Sequence, residues 1–172
     1  ILVSLPVAIG FPIIFLILLY SFDLYGNRNA RLVLLAFLWG GIIGLGVAYL
    51  INTRITLPLL REFRLSYILL YIAFAPLVEE IVKLMPLVPY VQRAKVTYFV
   101  DGAIYGFASG IGFSIAENIL YITRYPDLAL PLAIARAFST SLMHGATTGL
   151  VGAGYGLFRL RRFERRGLLM GF

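Results

Sequence analysis

The sequence predicts an all-α, polytopic transmembrane helix bundle, and three observations carry that prediction. The 172 residues are 60% hydrophobic and only 13% charged, where a globular domain has about 25% charged residues. Mean hydropathy is +0.90. The apolar residues gather into five runs, each long enough to cross a bilayer. None shows the sustained polar/apolar alternation of a barrel strand.

The five spans are expected at about 2–22, 32–52, 65–91, 96–122 and 130–158, followed by a basic tail at 159–172. Together they make one membrane-embedded domain covering 1–172, since a bundle of this length needs no second domain. The first run is too long for a signal peptide and lacks a small-residue cleavage site. The chain begins with Ile, so the native ends are expected to lie beyond it. A polar stretch, DLYGNRNAR, separates spans one and two, and a loop with Arg54, Arg61, Glu62 and Arg64 follows span two. Span three holds Pro76, Pro86 and Pro89. It is therefore expected to be kinked or broken. In span four Gly102, Gly106 and Gly110 recur every fourth residue, with Ser114 continuing the row, and span five carries Gly145, Gly149 and Gly152. Such stripes let helix backbones approach in lipid. Spans three to five are thus expected to form the core, with spans one and two peripheral.

Charge sets orientation. The loops after spans one, three and five carry nine Lys and Arg, among them Arg28, Arg31, Arg93 and Lys95, against four in the other loops. This predicts an outside N-terminus and a cytoplasmic tail. The net charge of +7 is then a topological signal, and no nucleic-acid partner is expected: Arg159, Arg161, Arg162, Arg165 and Arg166 all lie in the tail. Cysteine is absent, which excludes disulfides, thiolate catalysis and Cys-ligated zinc.

The chemistry lies in the charges the membrane should reject. Glu79, Glu80 and Lys83 sit inside span three, and each mid-membrane charge costs roughly 2.5–3.5 kcal/mol on insertion scales. An intramembrane ionisable group is by default a functional candidate. On a helix Lys83 lies about 40° from Glu79 and about 60° from Glu80. It can hold one carboxylate ionised while the other keeps a proton, giving an acid and a base for activating water. Span four ends with Glu117 and Asn118, and span five carries Arg136, Thr140, His144 and Thr148 at four-residue spacing. Such spacing predicts one helix face. His144 is the only histidine; it can shuttle a proton, ligate a metal or donate to an oxyanion. Arg136 is expected to be a carboxylate's counter-ion, and Asp101 reads equally as a helix cap or a site residue. Glu, Glu and His also suit zinc with one position open for water, and the residues alone leave metal-free and metal-assisted hydrolysis both open. No H-E-x-x-H occurs, so a zincin is excluded.

The segments EEIVK at 79–83, DGAIYGFASGIGFSIAENILY at 101–121 and HGATTGLVGAGYG at 144–156 resemble the PrsW family of intramembrane proteases. The loop containing Asp23 fits as well. The family is distantly related to the CAAX-processing and bacteriocin-processing membrane proteases. Against those relatives, Glu117 stands where a histidine is usual and Thr148 where an amide or acid is usual. The resemblance implies cleavage of a single-span membrane protein, an anti-sigma factor, at a prokaryotic plasma membrane. It implies Glu79 and Glu80 as base or ligand, Glu117 and His144 completing the site, and Asn118 as an oxyanion donor. If a metal is used, zinc on Glu79, Glu80, Glu117 and His144 is the expected centre; otherwise no cofactor is expected.

A rhomboid-type serine site fails because position 107 is Phe where the G-x-S-G pattern needs Gly, and G-x-G-D fails because Phe113 follows Gly112. The alternative from another class is a proton- or ion-coupled transporter built on the same carboxylates. One geometric difficulty stands. A straight span from Leu65 puts Glu79 roughly 21 Å along it, level with Gly106 to Gly110 and not with Glu117.

Overall fold

The computed structural model describes residues 2–21, 29–63, 67–92 and 98–170, the last helix beyond 158 as backbone only. Every regular element among the described residues is helical. The fold is the all-α membrane bundle the composition predicts. The expected loop at Asp23 lies outside the described residues, as do Arg28, Arg64, Leu65, Arg93 and Lys95.

Helix α1 is Ser4–Ser21. Helix α2 runs from Ala30 to Glu62, opened by Asn29, whose side chain accepts from the amides of Arg31 and Leu32. The span was expected to stop near Asn52. It continues because its polar residues bond within the helix: Thr53 donates to the Tyr49 carbonyl at 2.8 Å and Thr56 to Asn52 Oδ1 at 3.3 Å. Two wide turns, Trp39–Gly44 and Asn52–Thr56, interrupt its regular pitch. The second precedes Pro58, which has no N–H to give.

Span three is broken, as its prolines predict. Tyr67–Leu69 and a wide turn at Leu70–Phe74 lead into α3, Ala75–Leu84, and a bend at Met85 and Pro86 separates it from α4, Leu87–Gln92. Pro86 cannot donate to the Val82 carbonyl four residues back. That carbonyl instead accepts from Met85 N–H at 3.3 Å and, from α2, Trp39 Nε1–H at 2.9 Å.

Helix α5, Phe99–Arg124, is the axis of the fold and is buried along most of its length. A turn at Pro126–Leu128 leads to α6, Ala129–Phe138, and α7, Thr140–Met170. The fifth expected span is thus two helices meeting at Ser139. The hydroxyls there bond backward, Ser139 Oγ to the Ala135 carbonyl at 2.6 Å and Ser141 Oγ to the Arg136 carbonyl at 3.2 Å. Such back-bonding bends helices.

Glycines determine what touches α5. A Cβ on Gly102, Gly106 or Gly110 would strike the carbonyls of Gly152, Thr148 and His144, so α5 and α7 lie backbone to backbone. On its other side, Gly40 meets the Ser109 carbonyl and Gly112 the Phe37 carbonyl. Helix α2 is therefore part of the core and not peripheral. Its own small residues, Gly40, Gly41 and Gly44, carried that signal. Among the described residues, α1, α2 and α5 are each long and apolar enough to cross a membrane.

Candidate active site

Four polar side chains from three helices converge beside α5. Lys83 of α3 is wholly buried, with Nζ 2.7 Å from Glu80 Oε1 and 2.7 Å from His144 Nδ1. It also lies 4.5 Å from the centroid of the Phe113 ring, a cation–π contact. On the far side of the imidazole, His144 Nε2 stands 3.2 Å from Glu117 Oε2. The separation of 61 positions between Lys83 and His144 is bridged because the α5–α7 glycine contact brings α7 within reach of α3.

The two adjacent glutamates are treated differently. Glu80 is fixed on both oxygens: Oε1 also accepts from Thr147 at 3.1 Å, and Oε2 from Thr148 at 2.9 Å. Glu79 makes no hydrogen bond to a described residue, yet Lys83, Glu117, His144 and Glu80 all act electrostatically on its half-buried carboxyl. The expected depth mismatch between Glu79 and Glu117 is absent. Ser109 Oγ donates to the Lys83 carbonyl at 2.7 Å, and α3 runs antiparallel to α5. One turn back along α3, at Glu79, therefore faces one turn forward along α5, toward Phe113 and Glu117. A span taken as straight to residue 91 hides this, because the chain bends after Leu84.

A second set of polar groups backs the first. Arg136 Nη2 lies 2.7 Å from Glu117 Oε2, an ion pair without hydrogen-bond alignment at that nitrogen. Its guanidinium stacks 3.8 Å from the Tyr121 ring centroid, and its Nε donates to Asn118 Oδ1 at 2.9 Å. Asn118 Nδ2 donates to Ser141 Oγ at 3.1 Å, and Ser141 pairs with Ser114 at 2.7 Å. Asn118 is fully buried in this set and, among the described residues, reaches the first four through Arg136. Asp101 lies about 24 Å away along α5; its Oδ2 accepts from the Tyr98 amide at 2.9 Å in a capping box. Ser141 was expected on a turn near His144, whereas Thr147 is the contributor that sequence reasoning passed over. Thr147 sits one helical turn after His144, the only hint of its place.

Lys83, Glu80, Glu117 and His144 are joined by polar contacts within a bundle whose helices include some long and apolar enough to cross a membrane, an arrangement suited to hydrolysis in a membrane setting. The sequence model of one family, described as PrsW family intramembrane metalloprotease, matches residues 28–172, and the chain belongs to that family. It is accordingly a membrane protease of the integral-membrane kind, working on protein in a lipid setting. No match was found to a curated protein or to a solved structure.

The family's description implies a metal, so the donor set must be asked whether it fits one. It does not fit as folded. The position between Glu80 and His144 Nδ1 is filled by the Lys83 ammonium, itself a cation. Among the described residues no three His, Asp or Glu side chains gather in a metal-holding group. The set offers one imidazole and no thiolate, a poor match to zinc's usual ligands.

Proposed function

We propose that this protein hydrolyses a peptide bond in a single-span membrane protein, by family resemblance an anti-sigma factor, using water activated by Glu79. The setting is a prokaryotic plasma membrane. The chain makes five crossings, with the C-terminal tail on the cytoplasmic side. The observation that carries the mechanism is the contrast between the glutamates. Glu80 is held on both oxygens, whereas Glu79 has no hydrogen bond to a described residue and lies within electrostatic reach of Lys83, Glu117 and His144. A base must have a free lone pair aimed at water.

Glu79 takes one proton from water as the water oxygen adds to the carbonyl carbon. The C=O pair moves onto oxygen, and the resulting oxyanion is met by a hydrogen-bond donor, His144. The oxyanion pair then re-forms C=O as the C–N bond breaks with its pair going to nitrogen, which receives the proton held by Glu79. Glu80 and Lys83 supply fixed charge, Glu117 orients the imidazole, and Asn118 acts through Arg136.

Glu79→Gln keeps shape but cannot act as a base. Cleavage of a single-span substrate by the reconstituted protein is expected to fall by about 10²–10⁴, with insertion and fold intact. Glu80→Gln keeps its threonine contacts and loses the ion pair, and the loss is expected to be smaller. Full activity of Glu79→Gln would overturn the mechanism. Ion flux that depends on Glu79 and proceeds without cleavage would replace it with the transporter reading.

A further inference from the structure

Lys83 touches both a carboxylate and the only histidine, and the protease mechanism uses it merely as a charge. We propose that Lys83 fixes which nitrogen of His144 carries the proton. The ring is held with its proton on Nε2 and its lone pair on Nδ1, so the imidazole enters the reaction as a donor through Nε2. The assignment of the proton is independent of substrate; the donor role rests on the protease reading above.

A lysine ammonium has three donors and no acceptor. Nζ lies 2.7 Å from Glu80 Oε1 and 4.5 Å from the centroid of the Phe113 ring, and both are partners of a cation. His144 Nδ1, also 2.7 Å from Nζ, must then accept. In a neutral imidazole one nitrogen accepts and the other donates. The proton therefore sits on Nε2, where Glu117 Oε2 at 3.2 Å is an acceptor. Both ends of the ring agree. The opposite tautomer would set an N–H against an ammonium at one end and a lone pair against a carboxylate at the other. A doubly protonated ring would keep the first of these conflicts.

The charged groups around the ring are Glu79, Glu80 and Lys83 from α3, Glu117 from α5, and Arg136 of α6 behind Glu117. Among the described residues only Lys83 bonds Nδ1. This is also why the donor set disagrees with a zinc centre. A histidine that ligates through Nε2 normally donates its Nδ1–H to an acceptor, and here Nδ1 meets a group that has nothing to accept with.

The test uses the full chain in nanodiscs, purified with a histidine-free tag and carrying ¹⁵N-labelled histidine. His144 is the only histidine, so every ring signal belongs to it. The expected spectrum at neutral pH has a proton on Nε2 and none on Nδ1. In Lys83→Met the ring lies between the Glu80 and Glu117 carboxylates, both acceptors, and both nitrogens are expected to carry protons. Lys83→Arg, another donor-only cation, is expected to restore the single proton. A proton on Nδ1 in the wild-type protein overturns the proposal, and that measurement needs no variant to fold. A ring unchanged in Lys83→Met overturns the role of Lys83. Cleavage measured on the same wild-type sample separates the two claims. Cleavage with Nδ1 protonated sinks the proton assignment alone, and the expected ring without cleavage sinks the protease reading alone.

Discussion

Glu79 and Glu80 are chemically identical neighbours with different surroundings, and the difference comes from about 100° of helix rotation. That angle turns Glu80 toward α7, where Thr147 and Thr148 reach both of its oxygens, and leaves Glu79 within electrostatic reach of Lys83, Glu117 and His144. The buried Thr148 hydroxyl is a hydrogen bond to a charged group, worth about 1.5–3 kcal/mol. Thr148→Val keeps the volume and removes that bond. Cleavage is expected to fall roughly tenfold and the melting temperature of the purified protein to drop by several degrees; unchanged turnover would show that Glu80 needs no such anchor. The pair and its lysine were legible in the sequence as charges the membrane should reject. Thr147 was not, because a threonine in an apolar helix carries no signal until a carboxylate is seen opposite it.

Helices in this fold are placed by their small residues, and the third span is broken at Pro86. A methyl group on Gly110 would meet the His144 carbonyl, while one on Gly46, in α2, meets nothing within 4 Å. Gly110→Ala is expected to destabilise the protein by about 1–3 kcal/mol through overpacking and to move His144 away from Lys83, lowering cleavage as well. Gly46→Ala should be neutral or slightly stabilising, by up to about 1 kcal/mol of helix propensity. Thermal unfolding and cleavage measured side by side check both, and equal behaviour of the two would mean the α5–α7 contact is not set by backbone approach. The four-residue glycine rows of spans four and five were plain in the sequence. The run Gly40, Gly41 and Gly44 was equally plain and assigns α2 to the core. The ends of elements were harder to read. Polar residues at 52–56 suggested a loop because their side chains bond back into the helix, a choice that composition does not record.

At the scale of the whole molecule, the fold buries a chain of polar contacts from Glu80 through Lys83, His144, Glu117, Arg136 and Asn118 to Ser141 and Ser114. Such a network is tolerable in lipid only when its members satisfy one another. With an activated water and no acyl-enzyme, serine-directed fluorophosphonates and thiol reagents should leave cleavage unchanged. With Lys83 filling the cation position, a chelator should do the same. Loss of activity in chelator that zinc restores would return Glu117 and His144, with Glu79 or Glu80, to the role of ligands. A stable adduct on Ser109 or Ser141 that tracks inactivation would remove the water mechanism.

The sequence by itself determined the membrane class, the helical fold, the family and the identity of the charged residues, because each rests on local quantities: run length, hydropathy, spacing and motif. Only the tertiary structure decided the rest. It put His144 beside Lys83 across 61 positions of sequence, withdrew Asn118 behind Arg136 and distinguished Glu79 from Glu80. These are properties of which helix faces meet and at what depth. They depend on glycine contacts and proline bends acting together, which no one segment of the chain contains.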